Sequence, residues 1–127
     1  MTAQEKIAIA RKHLRKVQAA WDAPTDWEDL YLYGFYCLEA AVEAASLTVG
    51  IELSTRHWKK VEAATRLHTE HGLTDIQQLL VDLNVGRKAA AYGDVEEPEL
   101  EAEDVAVAVE GYVEEVDAFV EEHSDEE

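Results

Sequence analysis

A single cysteine, two prolines and the lack of any long apolar run set the first limits on this 127-residue chain. Cys37 has no partner for an intrachain disulfide, and its apolar neighbours mark it as a small buried hydrophobe rather than a nucleophile. No apolar stretch approaches the ~20 residues of a membrane-spanning helix, so no membrane association is expected. The opening Met1 to Lys6 lacks a basic segment followed by an apolar one, so no secretory leader is expected and a cytoplasmic location is. A glycine-rich phosphate loop after a strand, a cysteine cluster and a distinctive Ser/His/Asp arrangement are also missing, which leaves the enzyme classes that use them without support. Among five histidines, His68 and His71 are spaced to face one ion, but no Glu-x-x-His pair or facing carboxylate set accompanies them. Neither a metal nor a cofactor is expected.

Positive charge is scarce, and its placement is informative. Lys and Arg number 11 against 28 Asp and Glu, a net charge of −17. Residues 1 to 93 hold all 11 basic side chains and 12 acidic ones, whereas residues 94 to 127 hold 16 acidic and no basic side chains. The first 20 residues run the other way, with Lys6, Arg11, Lys12, Arg15 and Lys16 against Glu5. This polarity predicts pairing of a basic first helix with an acidic last one, within a subunit or across a dimer. Global acidity lowers nonspecific affinity for nucleic acid while leaving room for a local basic site.

The apolar residues recur at helical spacing throughout. A first helix is predicted near residues 3 to 20, with Ile7, Ala10, Leu14, Val17 and Trp21 on one side. A second, about 26 to 49, carries Leu30, Tyr31, Phe35, Leu38 and Val42 on an apolar arc so wide that it must meet neighbours on several sides. Ser54 or Thr55 starts a third, running to about His71 with Gly72 as its stop, whose apolar positions include Trp58, Val61, Ala64 or Thr65, and Leu67. A fourth spans about 75 to 92, with Ile76, Leu79, Leu80 and Leu83 inward and Gly93 as its stop. After Pro98, a fifth covers about 102 to 122, with an apolar stripe from Val105 to Val120 and acidic residues elsewhere. Capping boxes are predicted at Thr2 with Glu5, Thr25 with Glu28, and Thr74 with Gln77. With no strand alternation or internal repeat, the expected fold is all-α: an antiparallel bundle of four long helices plus one additional helix. One domain is expected over residues 1 to 123, followed by an acidic tail at 124 to 127.

The chemically distinctive segment runs from Leu83 to Asp94. It holds Arg87 and Lys88, the only basic residues after Arg66, and places Arg87, four intervening residues and Tyr92 at the glycine-marked end of a helix. A guanidinium pairs bidentately with phosphate oxygens, so Asn84, Arg87 and Lys88 form a candidate phosphate-binding set. The same residues also suit a solvated C-terminal turn, where cations complement the helix dipole. Arg87 and Tyr92 lie about 140° apart on an ideal helix and converge only if the helix loosens or a second subunit supplies the partner.

The Asn84-x-x-Arg87-x4-Tyr92 segment, the aromatic and Ala-rich stretch from Leu30 to Leu47, and Ser54-x-x-His57 together resemble the HEPN family of small helical-bundle proteins. The resemblance spans nearly the whole domain. It implies a homodimer related to metal-independent endoribonucleases, whose active members pair an Arg with a His, separated by four to six residues, where two subunits meet. It also implies a minimal nucleotidyltransferase partner, as in a toxin–antitoxin pair, that silences the nuclease by attaching AMP to the motif tyrosine, here Tyr92. Where a common variant reads Arg-x4-Tyr-x-His, this chain reads Arg87-x4-Tyr92-Gly93-Asp94. The motif is matched at Asn84, Arg87 and Tyr92 and fails at the histidine, where Asp94 follows instead, so the candidate catalytic residues are Arg87, Tyr92 and Asp94. An aspartate ordinarily titrates near ~3.9 and a tyrosine near ~10, so neither replaces a histidine efficiently as a proton shuttle at neutral pH.

Two functional readings follow. The first is a degenerate HEPN-like protein acting with RNA, a nucleotide or a nucleotidyltransferase. The second is a non-catalytic interaction scaffold whose acidic last helix docks a basic partner through Glu110, Glu114 and Asp117. A third, in which the acidic end mimics nucleic acid, predicts binding to a DNA-binding protein in competition with DNA.

Overall fold

Thr2 opens the first helix in the predicted way. Its hydroxyl accepts from the Glu5 amide at 3.1 Å, and the Glu5 carboxylate accepts from the Thr2 amide at 3.3 Å. From there the computed structural model describes residues 1–22, 24–53, 56–93 and 97–124. It contains five helices: α1 (Ala3–Ala20), α2 (Trp27–Val49), α3 (His57–His71), α4 (Gln77–Tyr92) and α5 (Ala102–Ser124). Among the described residues there is no strand, and no helix is long and apolar enough to cross a membrane. The predicted third-helix starts Ser54 and Thr55, the candidate Asp94, and residues 125–127 of the predicted tail lie outside the described residues.

The other two predicted capping boxes do not form. Asp26, not Thr25, caps α2 by accepting from the Asp29 amide at 3.1 Å, while the Thr25 hydroxyl donates to the Trp21 carbonyl at 2.9 Å. A carboxylate one residue later competes successfully because it accepts a charge-assisted bond at the positive end of the helix. At α4, Thr74 turns away to a distant partner: its amide and hydroxyl donate to the two Glu115 carboxylate oxygens at 2.7 and 3.0 Å. Asp75 takes over locally and accepts from the Gln77 amide at 3.1 Å.

α2 is the hub. It packs against α1, α3, α4 and α5, in keeping with its broad apolar arc, and Leu30, Leu38 and Val42 are fully buried. The inward stripes of α1, α4 and α5 match their periodicity, from Ile7 to Val17, at Leu80 and Leu83, and from Val105 to Val120. α3 buries Ala64 and Leu67 of its apolar positions and departs at Trp58. Its buried face is Ala63, Ala64 and Leu67, whereas Trp58 is 50% exposed with Lys59 over its ring at 4.4 Å. Nine residues of helix rotate Trp58 about 180° from Leu67, which puts the two on opposite faces.

Ion pairs lock the hub to its neighbours. Glu43 of α2 meets Lys6 of α1 at 2.5 Å and Lys60 of α3 at 3.0 Å, and Lys60 also reaches Glu39 at 3.4 Å. The predicted attraction between the basic first and acidic last helices takes concrete form in Arg11, which pairs with Glu114 at 2.8 Å and with Asp117.

Candidate functional site

α4 approaches α2 closely because Gly86 has no side chain. A β-carbon there would stand 2.5 Å from Cδ1 of the buried Tyr31 ring. This approach positions the flanking residues of the Leu83 to Asp94 segment. Asn84 and Arg87 are three apart and so share a helix face. The buried Asn84 accepts from Arg87 Nη2 at 2.8 Å. From α2, the Phe35 ring lies 5.0 Å from the Arg87 guanidinium carbon, within the range of a cation–π contact. Arg87 Nε is buried without a hydrogen-bond partner among the described residues. No carboxylate among the described residues pairs with Arg87, unlike Lys6, Arg11, Lys60 and Arg66.

The remaining candidates are distributed differently. Lys88 is exposed on the next helical position. Tyr92 is the last residue of α4 and 76% exposed, and Gly93 then ends the helix with a positive φ of 71°. Since α4 stays helical through Tyr92, Arg87 and Tyr92 keep an angular separation of about 140° and do not converge within one chain. The structure therefore brings Asn84 and Arg87 together and leaves Lys88 and Tyr92 pointing elsewhere.

No family model, curated protein or solved structure matches the chain.

Other reactive side chains are accounted for by packing. Cys37 is fully buried, its Sγ lies 3.2 Å from the Ala10 carbonyl oxygen, and burial pushes the thiol up to about 12 against a smaller opposing effect of Arg11. That thiol is not a nucleophile near neutral pH. His68 Nδ1 is 2.8 Å from the Leu73 carbonyl oxygen, and the His71 ring stands edge-on to Phe119 at 5.9 Å. Of the three carboxylates expected to serve a docking face on α5, Glu114 and Asp117 are engaged by Arg11, and Glu110 is exposed.

Sequence reasoning missed Phe35 as the platform beneath Arg87 and Gly86 as the point of close approach. Phe35 carried no signal beyond being apolar. Gly86 did: a glycine inside an otherwise regular helix costs ~1 kcal/mol relative to alanine and is kept where a backbone must come close to something.

Proposed function

We propose that this chain is a HEPN-like, RNA-associated protein, a degenerate relative of metal-independent endoribonucleases, in which Arg87 and Asn84 hold a phosphate. The observation that carries the reading is the Arg87 guanidinium. It is fixed by Asn84 at 2.8 Å and by the Phe35 ring, and no carboxylate among the described residues neutralises it. A cation already ordered by neighbours loses little freedom on binding an anion, and its planar fork suits phosphate oxygens. Lys88, one residue on, adds a second positive charge to the same end of α4. The five helices are read as an antiparallel bundle of four long ones plus one additional helix, with the site on its surface.

Arg87 and Tyr92 diverge on one helix, so a site using both requires a second copy of the chain. A homodimer is the simplest arrangement, because a two-fold axis places each segment opposite its equivalent. Tyr92, at 76% exposure, offers its phenol to a modifying nucleotidyltransferase.

The test is metal-free incubation of purified protein with an RNA pool, reading affinity and 2′,3′-cyclic phosphate ends for wild type, Arg87→Ala and Tyr92→Phe. Loss of one fixed phosphate contact weakens RNA binding about tenfold in Arg87→Ala. Cyclic ends are expected to be absent or scarce in all three. Unchanged RNA affinity in folded Arg87→Ala would overturn the site, and abundant cyclic ends lost in Arg87→Ala would replace "degenerate" with "active".

A further inference from the structure

On α1, Lys6 and Arg11 find carboxylates, but Lys12 and Lys16 do not: both are exposed, and neither has an ion-pair partner among the described residues. They stand one turn apart, where like charges repel. Neither lies in the last turn of α1, where the helix dipole would favour a cation. In a chain with 28 acidic side chains, the fold leaves this lysine pair unexplained.

A run of aromatic rings lies beside the pair. His13 is three residues from Lys16 and shares its side of α1. Its ring stacks on that of Tyr33 at 6.0 Å and meets that of Tyr36 at 5.7 Å. Burial, and after it the charge of Lys12, hold the imidazole below its ordinary 6.5, so at neutral pH it is a flat uncharged ring. Tyr36 also meets the Phe35 ring at 5.9 Å, yet it stays 38% exposed. Phe35 is the ring beneath Arg87. An unbroken series of contacts therefore runs from the Arg87 guanidinium on α4, over α2, to His13 on α1, with Lys12 and Lys16 at its far end.

We propose that this surface carries single-stranded RNA: a base stacks on Tyr36, while the backbone reaches Arg87 on one side and the Lys12 and Lys16 pair on the other. The inference rests on the RNA reading above for the class of ligand, and it adds a surface on α1 and α2 that lies outside the Asn84 to Tyr92 segment. An exposed ring flanked by cations suits unpaired bases, because every base has a face to stack and every linkage a charge to neutralise. A duplex hides its base faces. A purely anionic partner satisfies the lysines and leaves Tyr36 unused.

The test is fluorescence anisotropy of the full chain with labelled oligouridine, beside duplex RNA and with inorganic polyphosphate as a competitor that has no bases. Tyr36→Ala is expected to bind about tenfold more weakly at an unchanged salt slope. Tyr36→Phe, which keeps the ring, is expected to bind as wild type does. Lys12→Ala/Lys16→Ala is expected to bind more weakly, with a slope of log affinity against log salt shallower by about 1.4. Lys59→Ala, which removes a cation on α3 paired with Glu62, is expected to change nothing. Thermal midpoints establish that each variant is folded. Wild-type affinity in folded Tyr36→Ala, equal weakening by Lys59→Ala, or duplex binding as tight as single-stranded binding would overturn the proposal. Weakening by Arg87→Ala alone would overturn this surface and keep the phosphate site. Weakening by the Tyr36 and lysine variants but not by Arg87→Ala would overturn the phosphate site and keep the surface on α1 and α2. Absence of saturable oligouridine binding by wild type would overturn both.

Discussion

Arg87 is positioned by one partner close in sequence and one far from it. Asn84 is a single helical turn away and could be paired with Arg87 on spacing alone, whereas Phe35 reaches the guanidinium only because α2 and α4 dock. The docking distance is in turn set at Gly86. An alanine there would drive a methyl group into the Tyr31 ring, whose nearest carbons stand 2.5 and 2.6 Å from that position. Gly86→Ala is therefore expected to destabilise the fold by about 1–3 kcal/mol, despite alanine's better helix propensity. Urea unfolding measures it, and a stabilised variant would show that Tyr31 moves aside freely. Tyr112 makes the opposite point. Its place on the apolar stripe was legible, but its hydroxyl's lack of a hydrogen-bond partner among the described residues became visible only once the neighbouring elements were in place.

At the scale of elements, the five helices were legible nearly to the residue, because periodicity and stop signals act within a turn or two. Gly72 and Gly93 end α3 and α4 as expected, with φ of 75° and 71°. The caps were harder. Thr25 and Thr74 both fit a box by spacing, yet the first yields to Asp26 and the second is drawn across to Glu115. A consequence separates the two candidate caps of α2. Asp26→Ala is expected to cost about 1 kcal/mol, and Thr25→Ala, which loses only a hydroxyl bond to the Trp21 carbonyl, about half that. Thermal unfolding of the pair checks the order, and a larger loss for Thr25→Ala would restore the box. The Thr74 pairing also ties the approach to α4 to α5.

At the scale of the whole molecule, charge is organised around α2. Burial opposes ionisation of Glu43, but hydrogen bonds from Lys6 and Lys60 outweigh it and hold the carboxyl below its ordinary 4.5. A carboxyl depressed in the folded state contributes stability above its unfolded value, and that contribution is lost as pH falls through the folded value. Stability from this network is therefore expected to be intact at neutral pH and to decline below pH 4.5. Glu43→Gln is expected to cost about 1–3 kcal/mol at pH 7, since it leaves two partly covered ammonium groups short of a partner, and to flatten the acid limb of the profile. Denaturation followed from pH 7 to pH 3 measures both, and an unchanged acid limb would assign the network no role. Arg11, with Glu114 and Asp117, joins the two ends of the chain within one subunit.

Helical class, the extent of each helix and the candidate Asn84–Arg87 pair were written in the order of residues, because each rests on interactions spanning only a few positions. The ring beneath Arg87, the divergence of Tyr92 along an unbroken α4 and the shared use of Glu43 were decided when helices distant in sequence came together. Periodicity determines which face of a helix turns inward. Which polar group meets which across that face, and where a space is left, depends on how far apart the backbones come to rest.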